Sequence, residues 1–291
     1  MRDKVTVPAI KARKHQSKIT MVTAYDAPMA RIVDQAGIDM ILVGDSLATT
    51  VLGHANTLAA TVETMIYHSA AVAQAQPSAL IVTDMPWLSY HISTEETIRN
   101  AGRLIREGKA EAVKLEGGRK RIPMIEALLA AEIPVVGHLG LTPQSVHAMG
   151  GYKVQGKELE AAHELLADAR ALAQAGVFAL VLEGIPDILA KRISEEIAIP
   201  TIGIGAGPYC DGQVLVFHDV LGLSSGHLPK FVRQYAQLAE IATQALQQYK
   251  TDVQGGTFPS DQETYHTHAD VARVLQEEQP QGLDKPESEQ H

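Results

Sequence analysis

The sequence contains a single cysteine, Cys210, among 291 residues. No intrachain disulfide can form, which suits a reducing compartment. Long apolar runs are also missing. Stretches such as Val177–Leu182 fall far short of the roughly 20 residues that a membrane-spanning helix requires. Residues Met1–Lys18 are basic but have no apolar core, so they do not read as a signal peptide. No basic stripe stands out, which argues against nucleic acid as a partner. These absences lead to the expectation of a soluble, cytoplasmic protein.

The formal charge of −9 is uneven. Residues 251–291 hold nine acids and two bases, so residues 1–250 sit near −2. That C-terminal stretch is rich in Glu, Gln, Asp and Pro and poor in large apolar residues, so it cannot bury enough surface to offset its ordering entropy. The expected organisation is one catalytic domain over 1–250 and an acidic, disordered tail over 251–291.

Apolar residues make up 45% of the chain, enough for a full core. Short β-rich runs alternate with helical patterns: Ile19–Ala24, Met40–Val43, Leu80–Val82, Ala112–Leu115, Pro134–Gly137, Val177–Leu182, Thr201–Ile204 and Val214–Phe217 read as strands. They are apolar throughout, as strands covered on both faces are. Between them lie stretches such as Glu158–Ala175, where Leu159, Ala162, Leu165, Leu166 and Ala169 recur at helical spacing. Ser93 or Thr94 with Glu96 marks a helix start, and Gly37, Gly108 and Gly176 follow helical runs. Ile133-Pro134 and Ile199-Pro200 end helices before new strands. Eight such units imply a closed (βα)8 barrel, with a doubly wound open sheet as the alternative.

The acids carry the functional signal. Asp45, Asp84, Glu116 and Glu183 each close one of these runs, at the carboxyl ends that share one mouth in a barrel. Asp45, Asp84 and Glu116 come from neighbouring strands. Two carboxylates about 4 Å apart repel by roughly 4 kcal/mol at an effective dielectric near 20. Gathering three therefore calls for protonation or a cation. Oxygen ligands favour a hard divalent ion such as Mg2+, and no His-rich or Cys-rich set accompanies them to suggest zinc. A lone Asp after a strand also serves as a turn former or helix cap, but four at one rim fit that account less well.

Lys114 interrupts an apolar strand two residues before Glu116, hence on the same face. It can steady an anionic substrate, pair with Glu116, or form a Schiff base, although a metal makes the last redundant. Glu183 stands across the mouth from the cluster, where a carboxylate can act as a general base; capping the Gly184-Ile185-Pro186 turn is the alternative. Gly203-Ile-Gly-Ala-Gly207 offers either a phosphate loop or a tight backbone path. His138 either faces substrate or is a structural histidine, and Cys210 reads as inert.

Several longer segments are shared with a known family. They are Thr23-Ala-Tyr-Asp26, Leu42-Val-Gly-Asp-Ser-Leu47, Val113-Lys-Leu-Glu-Gly-Gly118, Gly137-His-Leu-Gly-Leu-Thr-Pro-Gln-Ser145, Gly150-Gly-Tyr-Lys-Val-Gln-Gly156 and Ile202-Gly-Ile-Gly-Ala-Gly207. Asp211-Gly-Gln213 and Gly226-His-Leu-Pro-Lys-Phe231 follow in the same order. Through them the chain resembles the ketopantoate hydroxymethyltransferases of pantothenate biosynthesis. The resemblance implies a barrel of the phosphoenolpyruvate/pyruvate-like superfamily, with Mg2+ at Asp45, Asp84 and Glu116. It implies that Asp45, Ser46, Asp84 and Lys114 contact the keto acid and that Glu183 accepts a proton. It also implies 5,10-methylenetetrahydrofolate and 3-methyl-2-oxobutanoate as substrates, 2-dehydropantoate as product, and a homodecamer. Ala48-Thr49 departs from the family's usual Gly-Met, and Lys109 and Glu111 are unusually charged. A carbon–carbon lyase or mutase of the isocitrate lyase type, and a catalytically silent binding barrel, are the alternative readings. The lyases rely on a catalytic cysteine in a basic loop, a context that Cys210 lacks.

Overall fold

The computed structural model describes residues 2–277 apart from Ser225 and His227. Eight parallel strands close into a barrel in chain order: β1 (Ile19–Thr23), β2 (Met40–Val43), β3 (Leu80–Asp84), β4 (Ala112–Glu116), β5 (Val135–Gly140), β6 (Ala179–Glu183), β7 (Thr201–Ile204) and β8 (Gly212–Leu215). The expected (βα)8 architecture is therefore present. Helices Ala27–Gln35, Val62–Ala73, Thr94–Arg106, Ile122–Ala130, Leu159–Ala175 and Asp187–Glu196 carry the chain between successive strands as far as β7.

Several expected boundaries move. β3 runs on to Asp84 and β5 runs on to Gly140, so Asp84 and His138 lie inside strands. β8 begins at Gly212, and Phe217 instead opens a short helix with its N–H donated to Thr23 Oγ1 at 3.0 Å. β7 and β8 are joined by residues 205–211 without a helix. Here the glycine-rich loop makes a tight return: Gly205 and Gly207 have φ of +62° and +75° and lie against the Phe231 ring and Asp187. Close packing thus accounts for those glycines.

Alternation along the strands separates two apolar layers. Val113, Leu115, Val135, Leu139, Leu180 and Leu182 face outward into the helix-covered core. Met21, Met40, Leu42, Leu80, Val82, Ala112, Val136, Val181, Ile202 and Val214 fill the barrel interior. Val5 and Ile10 join that inner cluster, so the N-terminal segment closes the bottom of the barrel. Its basic residues pair with acids there: Arg2 and Arg13 with Asp39 at 2.6 and 2.7 Å, and Lys14 with Asp211 at 2.7 Å.

The helix Thr94–Arg106 begins as its sequence suggests, Ser93 Oγ accepting the Glu96 N–H at 3.1 Å. Its end is unusual. Gly108 packs against Leu104 and Ser69, and the left-handed residue is the next one, Lys109, at φ +59°.

The chain divides between Gln237 and Leu238 into two compact units. The second contains the helices Leu238–Gly255 and Ala269–Glu277, so helix continues past Lys250. For residues 278–291 the expectation of disorder lies outside the described residues. Among the described residues, no helix is long and apolar enough to cross a membrane.

Candidate active site

The period of two that packs the barrel interior also builds the mouth. Leu80 and Val82 point inward, so Asp84 does as well; Ala112 is followed on the same face by Lys114 and Glu116. Val136 leads in the same way to His138, and Ala179 and Val181 lead to Glu183. The inner surface thus changes from apolar to polar over one residue pair at the carboxyl ends of four adjacent strands. Asp45 reaches the cluster from the loop after β2. Asp45, Asp84, Lys114, Glu116 and His138 are each no more than 4% exposed.

A polar network joins them. Asp84 Oδ2 accepts the Asp45 N–H at 3.0 Å, and Asp84 Oδ1 lies 3.0 Å from the Lys114 ammonium. His138 Nδ1 stands 3.3 Å from both Lys114 Nζ and Glu116 Oε1, while its Nε2 lies 3.2 Å from Glu183 Oε2. Gln144, from the loop after β5, donates Nε2 to Asp45 Oδ2 at 2.8 Å and its backbone N–H to Glu116 Oε2 at 3.1 Å. Tyr90, from the loop after β3, donates to Gln144 Oε1 at 2.5 Å and accepts the Glu116 N–H at 3.2 Å. Ser46 is bound through its hydroxyl to Tyr25 Oη at 2.8 Å.

Charge is crowded here. Burial, reinforced by the Asp84 and Glu116 charges, lifts the Asp45 carboxyl well above the usual range. Burial also raises Asp84, against the opposing pull of Lys114. Burial acts to raise Glu116 too, but the His138 contact and the nearby cations outweigh it and hold that carboxyl low. Burial and Lys114 disfavour charge on His138, yet the Glu116 and Glu183 carboxylates push it up to about 9. The three buried acids keep Lys114 protonated despite its burial.

The donor set suits a divalent cation. Asp84 Oδ1 is buried without an aligned hydrogen bond, its Lys114 neighbour lying close but off-axis. Oxygen is the ligand atom throughout, and the crowding that lifts the Asp45 carboxyl is what a bound cation would relieve. Among the described residues, no three Asp, Glu, His or Cys side chains form a ready-made metal cage. Two causes are visible: Lys114 crowds Asp84, and both Glu116 oxygens are already engaged by His138 and Gln144. A divalent cation held here would take the rest of its shell from water and substrate.

With this geometry, comparison with known proteins becomes decisive. Residues 4–261 match the family described as ketopantoate hydroxymethyltransferase. The chain belongs to that family. It is 56% identical over 269 residues to the 3-methyl-2-oxobutanoate hydroxymethyltransferase of Syntrophomonas wolfei subsp. wolfei, covering 92% of this chain and 98% of the relative. The enzyme of that name from Pelobacter propionicus is 54% identical, with 91% and 99% covered.

Among solved structures, 2,3-dimethylmalate lyase, a member of the PEP mutase/isocitrate lyase superfamily, superposes with a TM-score of 0.55 at 16% identity, covering 93% of this chain and 98% of that one. Phosphonopyruvate hydrolase, solved as a complex with oxalate and Mg2+, gives 0.57 at 14% identity, with 94% and 95% covered. At such identities the likeness speaks to the fold alone.

The departures from the family pattern have local explanations. Ala48 is fully buried, and Thr49 Oγ1 donates to Ser46 O at 2.9 Å. Glu111 accepts the Ile81 N–H at 2.9 Å and pairs with Lys4 at 2.7 Å, tying the β3 start to the N-terminal segment. Cys210 is buried, which pushes its thiol up, and the loop that carries it, residues 205–211, contains no basic residue. Sequence reading singled out neither Gln144 nor Tyr90. Gln144 lies within the shared segment Gly137–Ser145, which could have drawn attention to it; Tyr90 offers no such signal.

Proposed function

We propose that this chain transfers a hydroxymethyl group from 5,10-methylenetetrahydrofolate to 3-methyl-2-oxobutanoate, giving 2-dehydropantoate. The observation that carries the reading is the juxtaposition of a buried carboxylate cluster and Lys114 with Glu183, bridged by His138. Asp45, Asp84 and Glu116 would hold Mg2+, and Asp84 Oδ1 is the oxygen without an aligned protein donor. When bound, the ion supplies Lewis-acid withdrawal of charge from the keto oxygen.

The chain's own groups do the rest. Lys114, fixed in its charged form, holds the anionic keto acid and balances negative charge as it builds on oxygen. Ser46 contacts the same substrate, as do Asp45 and Asp84 at the mouth. Glu183 Oε takes the proton from C3, and His138 Nε2, 3.2 Å away, pairs with that carboxylate by charge. Water cleaves the two C–N bonds of the folate's methylene bridge, releasing tetrahydrofolate and a one-carbon unit at the formaldehyde level. The electron pair left at C3 adds to that carbon, and its oxygen takes a proton to become the new hydroxyl. Beside the ends of β4 and β5 lies a cavity of about 380 Å3, lined in part by Gly117, Gly118, Leu139, Gly140 and Gln155. The glycines in its lining leave room for a planar ring, so it is our choice for the pterin.

We further infer that the chemistry is confined to residues 1–250, that 251–291 form an acidic tail outside it, and that the enzyme works as a cytoplasmic homodecamer. The decisive experiment follows the C3 proton of 3-methyl-2-oxobutanoate by NMR in deuterated solvent with Mg2+. Glu183→Gln is expected to bind the keto acid yet lose exchange by about 10²- to 10⁴-fold. Exchange at the parental rate would remove Glu183 as the base.

A further inference from the structure

Gln144 is 5% exposed and spends every polar atom of its side chain inside the site. Its amide orientation is determined by its neighbours. Tyr90 Oη accepts the Glu116 N–H, so its own proton goes to Gln144 Oε1 at 2.5 Å. Burial and the Glu116 charge keep that phenol firmly protonated. The amide nitrogen must then face the other way, where its two hydrogens meet Asp45 Oδ2 at 2.8 Å and Met85 O at 3.0 Å. A flipped amide would set oxygen against carboxylate and carbonyl oxygens, and leave the Tyr90 proton without an acceptor.

One residue therefore grips two of the clustered acids. Its side chain holds one oxygen of Asp45, and its backbone N–H holds one oxygen of Glu116. Those acids come from the ends of β2 and β4, while Gln144 belongs to the short 3-10 turn Pro143–Ser145 after β5. We infer that Gln144, locked by Tyr90, is a positioning residue that fixes which carboxylate oxygens face a divalent cation and links the loop after β5 to metal affinity. The inference rests on the metal reading above. The chemistry is that of an outer hydrogen-bond shell: a donor that saturates one lone pair fixes the carboxylate plane and, at Asp45, leaves Oδ1 to the ion, while at Glu116 Gln144 and His138 together fix the plane.

The test measures Mg2+ binding by calorimetry, with the full chain and no substrate, beside thermal unfolding and steady-state kinetics. Gln144→Ala is expected to weaken Mg2+ binding by about 10- to 100-fold. Tyr90→Phe keeps the amide but frees its orientation, so a smaller loss is expected. In both variants the melting temperature of the metal-free protein should hold within a few degrees, and raising Mg2+ should restore turnover, because the fault lies in affinity. Parental Mg2+ affinity in Gln144→Ala overturns the inference and leaves the metal reading standing. So does a loss of turnover that no Mg2+ concentration restores and that follows a lowered melting temperature, since that marks a purely structural role. A parental chain that binds no Mg2+ overturns the metal reading itself, and the inference with it.

Discussion

Removing the Lys114 charge should show how the cluster is held together without metal. Lys114 Nζ lies 3.0 Å from Asp84 Oδ1, with both side chains about 95% buried or more. At that distance and an effective dielectric near 20, the attraction is about 5 kcal/mol, part of which offsets the cost of burying the ammonium. Lys114→Met keeps most of the volume but leaves Asp84, Asp45 and Glu116 facing one another. Breaking a buried pair from one side costs about 3–5 kcal/mol. In a domain of this size that lowers the melting temperature by roughly 6–20 °C. Scanning calorimetry of EDTA-treated protein reads the shift directly. Two controls follow from the same arithmetic. Adding Asp84→Asn to Lys114→Met should recover much of the loss, because the stranded charge is gone. Mg2+ should stabilise Lys114→Met more than the parent, since the ion replaces the missing positive charge. A shift below about 2 °C in metal-free Lys114→Met would refute the view that the lysine neutralises this cluster.

Two further predictions concern stability away from the mouth. Asp211 binds Lys14 at 2.7 Å, the Thr201 N–H at 2.9 Å and the His15 N–H at 3.2 Å. Burial acts against its charge, but these donors win and hold its carboxyl below the usual range. A depressed folded-state pKa stabilises the fold above the unfolded value of about 3.9, and that contribution is lost as pH falls through the folded value. Asp211→Asn should therefore cost about 2–4 kcal/mol in urea unfolding at pH 7 and progressively less below about pH 4; a deficit independent of pH would reject the assignment. Lys109 occupies the left-handed region at φ +59°, where a side chain costs about 1–2 kcal/mol, so Lys109→Gly should gain up to about 1 kcal/mol after its greater unfolded-state entropy is counted. A lower melting temperature in that variant would show that its side chain contributes more than its backbone strain removes.

The strands were legible because a barrel strand is covered on both faces and so reads as an unbroken apolar run. The runs at Met40–Val43 and Thr201–Ile204 match to the residue. The third, fourth and sixth strands run on to the polar residues Asp84, Glu116 and Glu183, and the fifth runs on through His138 to Gly140. Gly137 and His138 ended the fifth run on paper, yet both are buried and paired within β5, the histidine facing Glu116 across the register. The eighth strand begins earlier than its apolar run, at Gly212, and includes the exposed Gln213. For Asp84, Lys114, Glu116 and Glu183, knowing the strand fixed the face, since two-residue spacing alone places them in the mouth.

That rule also explains what stayed hidden. Gln144 and Tyr90 lie on loops, where no period relates position in the chain to direction in space. Their partners come from three other loops or strand ends: Asp45 after β2, Met85 after β3 and Glu116 at the end of β4. A strand acid announces itself by being polar where its neighbours are apolar; a loop glutamine is polar among polar residues and announces nothing. The two kinds of residue nonetheless depend on each other. The strands supply charges whose positions the barrel fixes, but a carboxylate still rotates about its last bond, and only donors from the loops stop it. Reading such a mouth from sequence therefore finds the charges first and the hydrogen bonds that aim them last, which is why variants at Gln144 test the site more sharply than variants at the acids.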